Sequence, residues 1–384
     1  MSAAGRSSSE GSMRLGVRAA LVDGELVPGD VVVQDGRVLE VGAGGGPSTG
    51  GVAVPGFLDL HINGLVGVDF LSTDLDGYRA AGVALAGHGV VGYLPTFITS
   101  PVGDYEPALA VAAEAAQQLV GIGARVHGVH LEGPYLSPHW PGAHDPDYLR
   151  APDVAEALAL CVPGLVRMMT LAPELDGALD LVAALVEHGV VVSCGHTDAD
   201  AATANAAFDR GARAITHLYN AHRRWKPRDP GVGGAALVRP GVTVQAIVDH
   251  VHLAPEAAYA AFLAARDRFS LVTDAMEAAG QGDGTYRLGR REVAVHGASA
   301  ELSDGTLAGS VLTMDAAVRN LHGCGATFAE AIWAATGAPA RLLGDPELGI
   351  LRPGARANIT VLDDDDLTVL RTLVEGAEQF VAIA

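Results

Sequence analysis

From Arg14 to Val41 short apolar runs alternate with the turn pairs Asp23-Gly24 and Asp35-Gly36, a pattern that predicts small antiparallel strands. After a glycine-rich connector, Gly42 to Gly51, the pattern changes. Apolar, β-rich runs then recur with Ala/Leu-rich helical stretches between them, as βα units on a parallel sheet require. The runs are Val54 to His61, Val90 to Phe97, Arg125 to Glu132, Val166 to Ala172, Val190 to His196, Ala212 to His217, Val242 to Val248 and Phe269 to Asp274. Eight such repeats, mostly about 20 to 40 residues apart, fit a closed barrel better than an open sheet. From Gly349 to Ala384 the chain returns to short strands, Ile359 to Leu362 and Leu367 to Val374.

The expected fold is therefore α/β: a (β/α)8 TIM-like barrel over residues 54–348, with a small β-sandwich domain formed from both chain ends, 14–53 and 349–384. The alternative is that the two ends pack independently on the barrel, since termini often lie near each other in any case. Residues 1–13, rich in Ser and Gly, read as a flexible tail without the apolar stretch of a signal peptide.

Composition narrows the function. At 384 residues and 49% apolar content the chain can bury a full core. With 45 acidic against 25 basic residues its net charge is −20, which argues against nucleic acid or an anionic membrane as a partner. An anionic small substrate would need a local basic pocket. No apolar run suggests a membrane span. Cys161, Cys194 and Cys324 are too few and too scattered for a disulfide framework or a thiolate zinc cluster, and a reducing cytoplasm is the default expectation.

In such a barrel the active site lies at the C-terminal ends of the strands, so a polar residue closing an apolar run is informative. Four runs close that way, in Glu132, His196, His217 and Asp274. A lone histidine at a strand end is more often structural than a ligand, and a lone carboxylate is more often a helix N-cap. Their joint occurrence favours a metal site. One Glu and two His suit Zn2+ or a similar divalent ion and leave a coordination position open for water. Cys194, two residues before His196, reads as core, and Asp363 to Asp366 as a solvated turn rather than a cation site.

A family resemblance joins these segments. Pro55 to Gly64 (PGFLDLHING), His130 to Pro134 (HLEGP), Gly142-Ala143-His144, Gly195-His196-Thr197, Thr216 to Ala221 (THLYNA), Val272 to Ala275 (VTDA) and Leu307 to Met314 (LAGSVLTM) run in the order found in N-acetylglucosamine-6-phosphate deacetylases of the amidohydrolase superfamily. The chain resembles that family along nearly its whole length. The resemblance implies metal ligands at Glu132, His196 and His217. Asp274 would be the general base, deprotonating a water activated at the metal and returning the proton to the departing amine. His144 would steady the developing oxyanion. The products would be acetate and an amino sugar.

Superfamily members with two metals carry His-x-His on the first strand, and one-metal deacetylases often carry Gln-x-Asn; this chain has His61-Ile62-Asn63. One tightly bound zinc per subunit is the expectation, with His61 free to take a second, weaker ion or to hydrogen-bond substrate. The resemblance also assigns substrate contacts to Asn63, Gly142, Ala143, Asn220, Ala221, Arg228, His252 and Leu307. Arg228 and His252 match the phosphate contacts, and in the family the arginine can come from a neighbouring subunit, which would make a homodimer functional. Taken alone, Arg228 reads equally well as a solvated loop residue. Three segments depart from the family pattern: His139-Trp140-Pro141, His222 to Trp225, and His250. All are expected in loops around the sugar. They leave open a different N-acyl amino sugar or amine as substrate, or a sugar-binding relative without catalysis, which the intact Glu132, His196, His217 and Asp274 disfavour.

Overall fold

The computed structural model describes residues 11–46 and 50–382. Its centre is a parallel sheet with the strands in chain order: Phe57–Ile62, Val90–Ile98, Arg125–Val126 with Val129–Glu132, Val166–Leu171, Val191–Cys194, Ala214–Ile215, Thr243–Ala246 and Phe269–Leu271. Arg125–Val126 and Val129–Glu132 pair with consecutive stretches of the same neighbour, so they are one run interrupted around Gly128, whose φ is +133°. The barrel closes between its first and last strands through a parallel bridge from Ile62 to Ala275 and a 2.8 Å hydrogen bond from the Asp274 N–H to the His61 carbonyl. All nine residues of Val90–Ile98 are buried, as expected of a strand covered on both faces. Helices fill the gaps between strands, and aspartates fix several of their starts: Asp74, Asp153 and Asp200 each accept a backbone N–H three residues on.

Both chain ends build a second structure. Ser12–Arg14, Asp30–Gln34 and Arg37–Ala43 form one antiparallel sheet. Ala377–Val381, Val369–Val374, Ile359–Leu362, Val52–Pro55, Ala19–Val22 and Glu25–Pro28 form another, in that order. Leu15, Val31, Val33 and Val38 from the first pack with Ala20, Ala53, Ile359, Val361 and Leu373 from the second in one apolar core, so the two sheets make a sandwich. Its hairpins turn at Asp23-Gly24 and Asp35-Gly36, all four residues at positive φ, the geometry these pairs favour.

The expected single run from Val54 to His61 is two strands. Val52–Pro55 pairs with Ile359–Leu362 in the sandwich, and the barrel begins at Phe57, so the expected boundary at 53/54 falls inside a strand. Gly56 is the hinge between them; a Cβ there would lie 2.2 Å from Val91 Cγ1. Of the expected tail, residues 1–10 lie outside the described residues, whereas Ser12–Arg14 form an edge strand. A further antiparallel sheet, Gly284–Leu288, Arg291–His296 and Ser299–Glu301, was not anticipated. Leu288, Val293, Val295 and Ala300 pack on Ile98, Ala143 and Met276, which sets this sheet beside the C-terminal mouth of the barrel. Asp363 to Asp366 form a hydrogen-bonded turn, the Asp363 carboxylate accepting the N–H groups of Asp365 and Asp366. Among the described residues, no helix is long and apolar enough to cross a membrane.

Candidate active site and metal centre

Glu132 is the last residue of its strand, and His196, His217 and Asp274 lie two or three residues past the ends of theirs. At these last three the backbone turns into the left-handed region, with φ of 47°, 30° and 49°. Such a conformation costs a non-glycine residue about 1–3 kcal/mol and persists only where its surroundings enforce it. Here Leu218 N–H binds the Gln245 carbonyl, and Asp274 is tied on both sides, to His61 through its N–H and to the N–H of Ser310 through its carbonyl, each at 2.8 Å.

These turns bring three ligand atoms together. His196 Nε2 lies 3.1 Å from Glu132 Oε1, His217 Nε2 lies 3.0 Å from the same oxygen, and the two imidazole nitrogens are 3.1 Å apart. Among the described residues this is the group of His, Cys, Asp or Glu side chains that could hold a metal ion. The donor chemistry fits one. His196 Nδ1 is 3.0 Å from the Trp140 carbonyl, which can only accept, so Nδ1 carries the proton and Nε2 turns its lone pair to the site. A proton on His217 Nε2 would be shared between two acceptors, whereas a divalent ion satisfies all three. The spacing approaches the ~3.3 Å edge of a tetrahedron with metal–ligand bonds of about 2.0 Å.

The charges agree. Burial pushes the His196 and His217 imidazoles down, keeping them neutral as ligands must be. Burial works against the charge on Glu132, but His61 and His144 outweigh it and hold the carboxyl well below its usual range. Asp274 is likewise buried, and His61 keeps it ionised. His61 is fully buried, its Nε2 3.3 Å from Glu132 Oε2 and 3.2 Å from Asp274 Oδ1, at ion-pair distance without an aligned hydrogen bond. Burial disfavours its charge, yet the two carboxylates raise its pKa well above the ordinary value. Asn63 Nδ2 donates to Asp274 Oδ1 at 2.7 Å and aims the carboxylate. His144 Nδ1 accepts the Thr99 N–H at 3.2 Å, so its proton sits on Nε2, 3.4 Å from Glu132 Oε2.

A cleft of about 680 Å³ opens over these groups. Glu132, His144, His196, His217 and Asp274 line it, with Asn63, Gly142, Ala143, Asn220, Ala221, His252 and Leu307. Gly142, at φ +55°, lets its loop lie against the metal-ligand ring; a Cβ would come 3.0 Å from His196 Cε1. His252 is oriented by Asp249, whose Oδ2 lies 2.7 Å from Nδ1. Two expected residues do not line the cleft. His61 lies beneath the cleft, and Arg228 is exposed and does not line it within the chain. The arginines that do are Arg224 and Arg291. Arg228 was expected from its position in the pattern, but Arg224, in the same loop and also exposed, borders the cleft, and Arg291 arrives on the unanticipated sheet. Trp140, expected only as part of a departing loop around the sugar, lines the cleft, and its carbonyl accepts from His196.

Comparison with known proteins places this site in a family. Residues 52–383 match the amidohydrolase family. The chain belongs to the amidohydrolase family. This amidohydrolase is 40% identical over 326 residues to N-acetylgalactosamine-6-phosphate deacetylase of Escherichia coli O157:H7, covering 84% of this chain and 86% of that one. It is 36% identical over 324 residues to N-acetylglucosamine-6-phosphate deacetylase of Bacillus subtilis (strain 168), covering 83% and 80%. Among solved structures, a mutant N-acetyl-D-glucosamine-6-phosphate deacetylase of Mycobacterium smegmatis in complex with N-acetyl-D-glucosamine-6-phosphate superposes with a TM-score of 0.89 at 36% identity, over 97% of this chain and 100% of that one. The expected resemblance and the barrel are thereby established for the amidohydrolase.

Proposed function

We propose that this amidohydrolase removes the acetyl group of N-acetylglucosamine 6-phosphate, releasing glucosamine 6-phosphate and acetate. The observation that carries this reading is the Glu132–His196–His217 triangle beside an ionised, aimed Asp274 in a cleft deep enough for a sugar phosphate. A divalent ion held by Glu132, His196 and His217, most simply one zinc, would polarise the amide carbonyl and lower the pKa of a water. Asp274 then takes the proton of the attacking water and delivers it to the departing nitrogen. Its carboxylate suits this role because Asn63 fixes Oδ1 and His61 keeps it ionised. The His144 Nε2–H stabilises the oxygen that gains charge as the carbonyl is attacked. Asn63, Gly142, Ala143, Asn220, Ala221, His252 and Leu307 shape the sugar subsite. The barrel carries the chemistry and the sandwich from both chain ends supports it.

A homodimer in which Arg228 reaches a neighbour's cleft is consistent with its exposure here. Three free thiols suit a reducing compartment such as the cytoplasm. The 40% identity to a relative named for the galactosamine epimer favours one alternative, N-acetylgalactosamine 6-phosphate. The test is acetate release from the two 6-phosphates and from unphosphorylated N-acetylglucosamine, with metal content measured on the same sample. Turnover of the glucosamine derivative by the metal-loaded enzyme is expected; a loaded enzyme active only on another acetamide overturns the proposal.

A further inference from the structure

The two loops that depart from the family pattern, 139–141 and 222–225, meet in space and form one unit. Trp140 is held from several sides: its N–H binds the Ser137 carbonyl at 3.0 Å, its carbonyl accepts from His196, and its Nε1–H donates to Asp198 Oδ1 at 2.8 Å. Asp198 ties in the second loop, since Arg223 donates to its carbonyl at 3.1 Å and lies 3.5 Å from its Oδ2. Arg223 is committed further to Asp229, at 2.9 Å. Arg224 is not. Among the described residues it makes no hydrogen bond or ion pair, and its partner is the Trp140 ring, with the guanidinium carbon 5.8 Å from the centroid. Both side chains line the catalytic cleft.

We infer that Arg224, held over Trp140, is a specificity-determining contact for the phosphate of the substrate, supplied from within the chain; the inference rests on the function proposed above. In a chain of net charge −20, an exposed arginine at the cleft that forms no ion pair among the described residues is a vacant anion contact. Its five N–H donors match a phosphate bidentately, and its cation–π contact with the Trp140 ring restricts the side chain beforehand, so less freedom is lost when an anion arrives. Arg223 cannot serve, because Asp198 and Asp229 occupy it, Arg228 lies outside this cleft, and Arg291, the other arginine lining it, acts on the Asp304 carboxylate, which lines the cleft too. Trp140 is the positioning residue. It also links the anion contact to the metal ligand His196 through its own carbonyl.

The test compares wild type with Arg224→Met, which keeps the length and apolar stem of the side chain but removes the charge. Loss of a charge-assisted contact should raise KM for N-acetylglucosamine 6-phosphate about tenfold or more with kcat held, and leave KM for unphosphorylated N-acetylglucosamine unchanged. Arg224→Lys should recover part of the loss. A KM for the 6-phosphate within about twofold of wild type, or an equal rise for both sugars, overturns the inference. Calorimetric titration with inorganic phosphate reads the contact without turnover: binding about tenfold weaker in Arg224→Met supports it, and unchanged binding refutes it. A wild type inactive on the 6-phosphate but active on another acetamide sinks the proposed substrate, whereas an active wild type matched by Arg224→Met sinks only the role of Arg224.

Discussion

Asp59 offers a test of the site's foundations that needs no substrate. It is fully buried below the metal centre, where it accepts the Thr273 hydroxyl at 2.5 Å and the His61 N–H at 3.2 Å, joining the first barrel strand to the last. Burial pushes its carboxyl from 3.8 up to about 6, with the hydrogen bonds from Thr273 and His61 opposing only part of the rise. The unfolded chain therefore releases this proton near 3.8 and the folded chain near 6. Between those values the folded state holds more protons, so the contribution of Asp59 is fully present below the lower value and lost as pH rises through the upper one. Over the whole window the loss is about 3 kcal/mol, at 1.36 kcal/mol per unit. Between pH 5 and pH 8 about one unit remains to be lost, or about 1.4 kcal/mol. Asp59→Asn keeps the shape and an acceptor but cannot ionise. Urea unfolding of both proteins at pH 5 and at pH 8 should show the difference between them moving by about 1.4 kcal/mol in favour of the variant at the higher pH. The pH-independent cost of the substitution cancels between the two pH values, and both proteins are compared after metal removal so that metal linkage does not enter. Parallel profiles, or a shift of opposite sign, would refute the assignment of a buried ionising carboxylate at this position.

Asp274→Asn preserves the acceptor for Asn63 but removes the base, so kcat should fall by about 10³-fold while metal content by atomic emission stays at the wild-type level; a near-normal rate would remove Asp274 from the mechanism. His217→Ala should emerge from dialysis with well under one equivalent of metal, and full stoichiometry would exclude His217 as a ligand. Gly142→Ala places a Cβ 3.0 Å from His196 Cε1 at a φ of +55°, and a loss of about tenfold in kcat/KM is expected; kinetics indistinguishable from wild type would show that the loop yields without disturbing the ligand.

What was legible in the sequence was chemistry that interrupts a pattern. Glu132, His196, His217 and Asp274 stand out because each closes an apolar run, and the structure brings them together at one end of the barrel. The division at Pro55-Gly56 was hidden for the opposite reason. Val52 and Val54 pack into the barrel core while Ala53 packs into the sandwich, so a strand buried on both faces reads as continuous with the next. The sheet around Arg291–His296 does alternate, with Val293 and Val295 buried between exposed Glu292, Ala294 and His296, but over so few residues that a polar stretch reads as loop. Among Arg223, Arg224 and Arg228, composition gives no means of choosing the one that faces the cleft. That choice depends on Asp198 and Asp229, which neutralise Arg223, and on Trp140, which lies far from the loop in sequence.

The strand Val52–Pro55 finds its neighbour Ile359–Leu362 about 300 residues later, yet only Gly56 separates it from the first barrel strand. On the ribosome, at about 5–20 residues per second, this segment waits roughly 15–60 s for the chain that will cover it. Throughout that interval an apolar edge adjoining the barrel's first strand stays open to other chains. Loss of the last 30 residues, by a premature stop or a protease, would make the exposure permanent. The length of that exposure is thus set by where the strands that cover it are encoded, and moving them to the front by circular permutation would shorten it without altering a single contact at the metal centre.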